Sequence, residues 1–446
     1  MSSQTKKMEW GRLGEFFLFF FILPVILFWA IAQEWPGFLR WSYFFIVTLF
    51  VFQSAMSYLQ TTATLIPSLW DKKAVEPVTP APRTTFIVSA YLPNEVTVIE
   101  ATLLNLLQNV KRPNGGIEVI LAYNTPQMME LEKRLRDLVK IHPELILANA
   151  YGSRSKSQNQ NHALDLASGE MIVLLDADHL VAQDCLARAW RWLEDGFDVV
   201  QGRCVIRNGS SSLVSALVSV EFQAIYGVSH FAKFRLFRTA LFGGSNGYWR
   251  ASVLKTIRFR NDRLTEDIDA TLRATLAGYR FIHDRSILSS EEAPTTWTGL
   301  WFQRKRWSQG WHQCSVVYQK AVWQSQHLNL RKKFIWTTLL LWRVFYDLVS
   351  HFLFPILAAY WLYRGQIELP VTHYVLFAVG FTMLSGPYEM IAAWIHSVPR
   401  YSPLRYLLYG AATFFYAIYK NIIQVIAIRD ELAGSKEWVM TTRAGS

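Results

Sequence analysis

Residues 171–179 read MIVLLDADH. Met171–Leu175 is an unbroken apolar run, the kind of strand that is buried on both faces. Asp176, Asp178 and His179 follow it without a spacer. In open α/β sheets, ligands bind beyond the carboxyl ends of such strands. Two carboxylates and an imidazole at that point can hold a hard divalent cation, which in turn can bridge nucleotide phosphate oxygens. A helix cap or a solvated turn would use the same residue types. The buried strand on one side and a helix start on the other favour the metal–nucleotide reading.

The neighbouring segments extend this strand into a sheet. Thr84–Ala90 (TTFIVSA) is β-branched and apolar and ends in a turn at Pro93 and Asn94. Residues 95–110 have helical apolar spacing, and Ile117–Ala122 reads as a second strand. A charged helix over 127–140, a short strand at Leu145–Ala148 and a helix at Asn159–Ala167 precede the 171–175 strand. This alternation predicts a mostly parallel sheet with helices on both sides.

Two further clusters lie downstream. Thr265-Glu266-Asp267 follows the basic residues Lys255, Arg258, Arg260 and Arg263 and opens a helix, Ile268–Ala277. Thr with acids in the first turn is also the ordinary way to start a helix. A carboxylate here could instead take the proton from an attacking hydroxyl while a metal neutralises a leaving diphosphate. Residues 300–323 read as an amphipathic helix suited to the membrane interface. Leu300, Trp307, Trp311, Cys314, Tyr318 and Ala321 share one side; Arg304, Lys305, Gln309 and Gln313 face elsewhere. Arg can hold a diphosphate by forked hydrogen bonds, and Trp can stack on a sugar ring.

Composition sets the wider frame. The 446 residues carry 45 Lys and Arg against 34 Asp and Glu, a net charge of +11, and are 51% apolar and 15% aromatic. Intrinsic disorder is excluded. Three cysteines, Cys185, Cys204 and Cys314, make no disulfide framework and have no zinc-finger spacing. The basic residues form no patch with interleaved aromatics, so nucleic acid is not an expected partner.

Long apolar stretches predict membrane spans at about 14–33, 41–63, 334–363, 370–396 and 404–428. Ala30-Ile31-Ala32 resembles a signal-peptide cleavage site, but a retained anchor is the preferred reading. Lys6, Lys7, Arg12, Lys72 and Lys73 flank the first two spans on one side, with Arg40 alone between them. The positive-inside rule therefore places residues 71 onward in the cytoplasm, below the inner (plasma) membrane. The expected organisation is two N-terminal spans (1–70), a cytosolic domain (71–325) and a C-terminal membrane block with a short tail (326–446). Arg343, Asp347 and His351, at i, i+4 and i+8, would put one polar face inside the membrane. That face lines a channel or reflects an internal Arg343–Asp347 pair; Glu389 and Lys420 are weaker candidates of the same kind.

Asp176/Asp178, then Thr265-Glu266-Asp267, then Gln303/Arg306/Trp307, set between membrane spans, resemble the membrane-integrated family-2 glycosyltransferases. That family includes cellulose, hyaluronan, chitin and poly-N-acetylglucosamine synthases, and its signature is D-x-D, T-E-D, Q-x-x-R-W. His179 resembles the cellulose-synthase variant. Phe242-Gly243-Gly244-Ser245 resembles that subfamily's F-x-G-S acceptor segment, with Gly243 where a Cys is usual. The resemblance implies an α/β GT-A-type cytosolic domain and inverting transfer from a nucleotide sugar, a UDP-α-sugar giving a β-linkage. It implies Asp267 as general base. Asp176 and Asp178 would hold the nucleotide diphosphate and Mg²⁺ or Mn²⁺, with His179 as a further metal ligand. Gln303, Arg306 and Trp307, with Glu266 and Ser245, would hold the diphosphate and acceptor end. Tyr91, Glu95, Lys156 and Asn161 match the family's nucleotide elements. Where the family has a base-contacting Asp, this chain has Asn124. Trp438–Arg443 resembles a W-x-x-T-x-R tail that is cytosolic in some synthases, whereas five spans would put the C-terminus outside. The acceptor is expected to be a growing polysaccharide or, alternatively, a membrane lipid. An inert scaffold and a glycosidase are disfavoured by the complete set of carboxylates and the diphosphate-type Arg.

Overall fold

The computed structural model describes residues 10–66, 75–365 and 372–435. Lys6, Lys7, Lys72, Lys73 and the 438–443 segment lie outside the described residues. Among the described residues, five helices are long and apolar enough to cross a membrane: Gly11–Glu34, Gly37–Leu65, Leu330–Arg364, His373–Ile395 and Pro403–Leu432. Each overlaps an expected span. The first contains a π-helical turn at Leu18–Ile22. The third is two pieces, Leu330–Ser350 and Leu353–Arg364.

The intervening domain is built on eight strands: Thr84–Tyr91 (β1), Ile117–Asn124 (β2), Leu145–Asn149 (β3), Met171–Asp176 (β4), Leu180–Val181 (β5), Val199–Ile206 (β6), Gly247–Arg250 (β7) and Phe281–Glu291 (β8). Their order in the sheet is β3-β2-β1-β4-β7-β6-β8-β5. The first four are mutually parallel, as the strand–helix alternation requires. Val, Ile and Leu in β1, β2 and β4 are buried on both faces, because helices cover both sides. Beyond β4 the sheet becomes mixed: β7 runs antiparallel to both β4 and β6. The parallel register pairs Ser89 with Asp176 and Tyr91 with Asn124. Three of the expected donor-site residues are thereby brought to one edge of the sheet.

Two helices depart from the ranges their apolar spacing predicts. The predicted 95–110 helix is interrupted. Leu92–Glu95 is one turn with Pro93 near its start, and Ile99–Leu104 then passes into a π-turn at Asn105–Asn109. The amphipathic helix begins at Trp297 and runs to Val317. Its polar side is not solvated. Arg304, Gln309 and Gln313 are buried against other helices. Gln309 and Gln313 donate to Glu431 Oε2 at 3.0 and 2.7 Å, and Lys305 lies 2.8 Å from Asp430. Their charges and amides are matched by the last helix, Pro403–Leu432, so burial is compensated.

Glu221, in the helix Leu213–Ala224, ties these parts together. It accepts from Arg304 Nη2 at 2.8 Å, Tyr416 Oη at 2.7 Å and Lys420 Nζ at 2.9 Å. Burial alone would raise its pKa, but Arg304 and Lys420 bring it down to about 2. Glu221→Ala leaves a buried guanidinium without its counter-charge, which costs about 3–5 kcal/mol. Thermal unfolding in detergent is expected to show a markedly lowered midpoint, while Lys133→Ala, in an exposed surface pair, leaves it unchanged.

Candidate active site

A cavity of about 2060 Å³ opens at the carboxyl edge of β1, β2 and β4 and continues between the membrane-block helices. Lys156, the first residue of the helix Lys156–Leu166, projects into it. Its Nζ is 2.5 Å from Asp176 Oδ1 and 3.4 Å from Glu266 Oε1, and it donates to Gly244 O at 2.9 Å. Burial works against the ammonium charge, but Asp176 and Glu266 outweigh it and hold the pKa above its ordinary value. The first and second acidic clusters, distant in sequence, therefore meet across one lysine.

Asp267 sits on the first turn of the helix Glu266–Leu276, and its Oδ1 accepts from Ile268 N at 2.9 Å. Burial and the neighbouring Glu266 carboxylate push its pKa up to about 7, against the pull of Lys156 and Arg306. A carboxylate poised near neutrality suits general-base work. Gly244 lies close by with φ +87°, and a Cβ there would stand 3.0 Å from Asp267 Oδ2. Ser245 Oγ accepts from Asp176 N at 3.0 Å, which joins the F-x-G-S-like segment to the strand end.

The other expected residues are placed as follows. Asp178 is buried, lines the cavity, and its Oδ2 accepts from Glu292 N at 2.9 Å. His179 is buried, with Nδ1 2.8 Å from Ser289 Oγ and Nε2 3.7 Å from Glu291 Oε2. Tyr91, Glu95 and Asn124 line the far end of the cavity. The Asn124 amide is partly engaged within the protein, donating to Ser153 O at 3.1 Å and accepting from Asn159 Nδ2 at 2.8 Å. Asn161 is outside the cavity lining and pairs with the Phe259 backbone, closing a loop. Gln303, Arg306 and Trp307 fall within about one helical turn and line the cavity together. Gln303 Oε1 is buried with no hydrogen-bond partner among the described residues.

Toward the membrane, the cavity reaches Arg343 and Asp347. It does not reach His351, which packs edge-on against Phe16 and donates from Nδ1 to Asp347 O at 2.8 Å. The helix piece ends at Ser350, so the i, i+4, i+8 face does not continue past Asp347. Glu389 and Lys420 do line the cavity, together with two residues the sequence reading passed over, Glu221 and Lys233. A lone carboxylate inside the apolar run LVSALVSVEFQA (213–224) was the available signal for Glu221.

A family model described as "Glycosyl transferase family group 2" matches residues 171–399, just over half of the chain. The chain belongs to glycosyl transferase family group 2. Poly-β-1,6-N-acetyl-D-glucosamine synthase of Staphylococcus aureus is 27% identical over 236 residues, covering 51% of this chain and 54% of that protein. The chain thus spans about half the length of these curated relatives. Probable glycosyltransferase YdaM of Bacillus subtilis is 23% identical over 314 residues, covering 69% of this chain and 70% of YdaM. Among solved structures, the mannosyltransferase PcManGT of Pyrobaculum calidifontis, in complex with GDP-Man and Mn²⁺, aligns with a TM-score of 0.53 at 22% identity. That alignment covers 92% of this chain and all of PcManGT, and it supports the expected GT-A-type fold. The family-2 member described here therefore combines a GT-A-type domain with membrane-crossing helices.

Gly244→Ala forces a side chain into a left-handed conformation, a strain of about 1–3 kcal/mol, and crowds Asp267. Transfer by purified protein is expected to fall by about 10²-fold, as misplacement of a reacting group by about 1 Å does. Circular dichroism should still report a folded chain.

Proposed function

We propose that this protein transfers a sugar from a nucleotide-sugar donor, with inversion, to an acceptor that approaches from the membrane side. The cavity carries the reading: it joins Asp176 and Asp178 to Asp267, passes under Gln303, Arg306 and Trp307, and continues to Arg343 and Asp347. The nucleotide would lie against Tyr91, Glu95 and Asn124, with Lys156 and Asp176 facing its sugar and phosphates. Asp178, a buried oxygen donor on the cavity wall, fits a hard cation such as Mg²⁺ or Mn²⁺. That cation, when bound, neutralises charge on the leaving diphosphate. Asp267 takes the proton from the attacking acceptor hydroxyl. Arg306 offers forked hydrogen bonds to the diphosphate, and the unpaired Gln303 Oε1 accepts from a sugar hydroxyl. Trp307 supplies an apolar face for the acceptor ring. Attack opposite the leaving group converts an α-donor into a β-linked product.

The similarity to poly-β-1,6-N-acetyl-D-glucosamine synthase supports a growing β-linked polymer as acceptor; a UDP-sugar donor and exit between the apolar helices complete that reading. One observation favours a lipid acceptor instead. The membrane end of the cavity is walled by Phe52, Met56, Phe334 and Leu339 beside Lys233 and Arg343, a setting for an apolar chain with an anionic head. Both readings place the catalytic domain in the cytoplasm, where nucleotide sugars are made.

Purified protein in lipid, given Mg²⁺ or Mn²⁺ and a panel of labelled nucleotide sugars, should transfer label, and Asp267→Asn should abolish transfer. Water-phase, glycosidase-sensitive product identifies the polymer reading; label in the organic phase identifies the lipid reading. Equal signals from wild type and Asp267→Asn contradict both. The pH profile is a second check. Asp267 works ionised, so kcat/KM should fall as pH drops through about 7. Lys156→Gln removes a cation that favours the carboxylate, and the acid limb should then move to higher pH.

A further inference from the structure

The family resemblance offers His179 to the donor-site cation beside Asp178, but the structure groups it instead with Cys204 and Glu291, two side chains that have no part in the proposed transfer. A ring nitrogen of His179, Cys204 Sγ and a Glu291 carboxylate oxygen lie within 4.8 Å of one another, and Asp178 is not in the group. The three residues come from three neighbouring segments of the sheet. His179 follows β4, Cys204 is in β6, and Glu291 ends β8, which pairs with β6. His179 and Cys204 are each 1% exposed, yet both line the cavity wall.

The imidazole is set up as a ligand. Nδ1 lies 2.8 Å from Ser289 Oγ. With Nδ1–H donating there, Nε2 keeps its lone pair, the arrangement typical of metal-binding histidines. Among the described residues Nε2 is buried and makes no hydrogen bond of ordinary length; Glu291 Oε2 stands 3.7 Å away, and its charge favours the protonated ring, a proton that a metal would displace. A buried polar atom left unpaired is costly and calls for a partner. A His179–Glu291 ion pair would be the plain alternative, but it leaves that nitrogen without a hydrogen bond.

We propose that His179, Cys204 and Glu291 bind one divalent transition ion of the zinc class, with the fourth coordination position facing the cavity. One nitrogen, one sulfur and one oxygen suit tetrahedral Zn²⁺ or Co²⁺; Mg²⁺ takes an all-oxygen octahedral shell. Zinc–ligand bonds of about 2.0–2.3 Å put tetrahedral ligand atoms about 3.5 Å apart, so the widest pair closes by up to about 1 Å as the side chains turn onto the ion. Binding exchanges the Cys204 thiol proton for a metal–sulfur bond, and the proton leaves to solvent. The ion would cross-link the segment after β4 to β6 and to the end of β8, one residue from Asp178, and so would position the segment that carries the donor-site carboxylates. The site is independent of which donor or acceptor the enzyme uses.

The test uses full-length protein in detergent, stripped with EDTA and titrated with Co²⁺. A thiolate-to-cobalt charge-transfer band should rise to saturation at one equivalent, persist in excess Mg²⁺ and vanish on adding Zn²⁺. Cys204→Ser should abolish the band and His179→Gln should weaken Co²⁺ binding at least tenfold, roughly the second-shell scale or more. Asp178→Asn and Cys314→Ser should keep it. No band in wild type, a band that survives Cys204→Ser, or one lost in Asp178→Asn would overturn the proposal. Zinc-edge X-ray absorption on Zn²⁺-loaded wild type needs no variant. One sulfur neighbour at about 2.3 Å is expected, and a shell of nitrogen and oxygen alone contradicts the site.

Discussion

Glu221 is a carboxylate buried among a guanidinium, an ammonium and a phenol, each from a helix other than its own. Removing such a charge from water is expensive unless every partner arrives in good geometry. Arg304 comes from the Trp297–Val317 helix, and Tyr416 and Lys420 from the last membrane-crossing helix. The carboxylate is therefore satisfied only when the catalytic domain and the membrane block are docked in one arrangement. The Trp297–Val317 helix also carries Gln303, Arg306 and Trp307. The same contact that seats the domain on the membrane thus sets the wall of the cavity above Asp267.

Below that wall, charge is balanced inside a small volume. Lys156 stands between Asp176 and Glu266, and Asp267 is close to both acidic clusters. A single lysine lets carboxylates from two separated motifs share one cavity. Burial and the Glu266 charge keep Asp267 basic enough to take a proton, while Lys156 and Arg306 keep it ionised near neutrality. Gly244 is demanded by the same crowding, since any side chain there would press on Asp267.

Much of this was legible in the sequence because it is local. An apolar run ending in acids marks β4 and its ligand edge, and stretches of apolar residues mark the five spans. The three motifs that carry the family resemblance do converge on one cavity. What was not legible depends on partners distant in the chain. Arg304, Gln309 and Gln313 read in the sequence only as the side turned from the apolar residues, because their counter-groups, Glu221 and Glu431, lie 83, 122 and 118 residues away. His351 has the right spacing to extend the Arg343–Asp347 face, but the helix ends before it and the ring turns to Phe16. The antiparallel insertion of β7 left no periodic signature in a strand of only four residues. Asn161 matches a motif position yet serves a loop closure, a reminder that spacing does not report the direction of a side chain.

One continuous cavity joins Asp267 to Arg343 and Asp347, and the proposed product path follows it. A cryo-EM structure of Asp267→Asn in lipid, mixed with donor and with product made by the wild type, tests this path. Elongated density is expected to start beside residue 267, pass Trp307 and reach Arg343 and Asp347. Product density leaving toward the aqueous side of the domain, with the Arg343–Asp347 region empty, would contradict it.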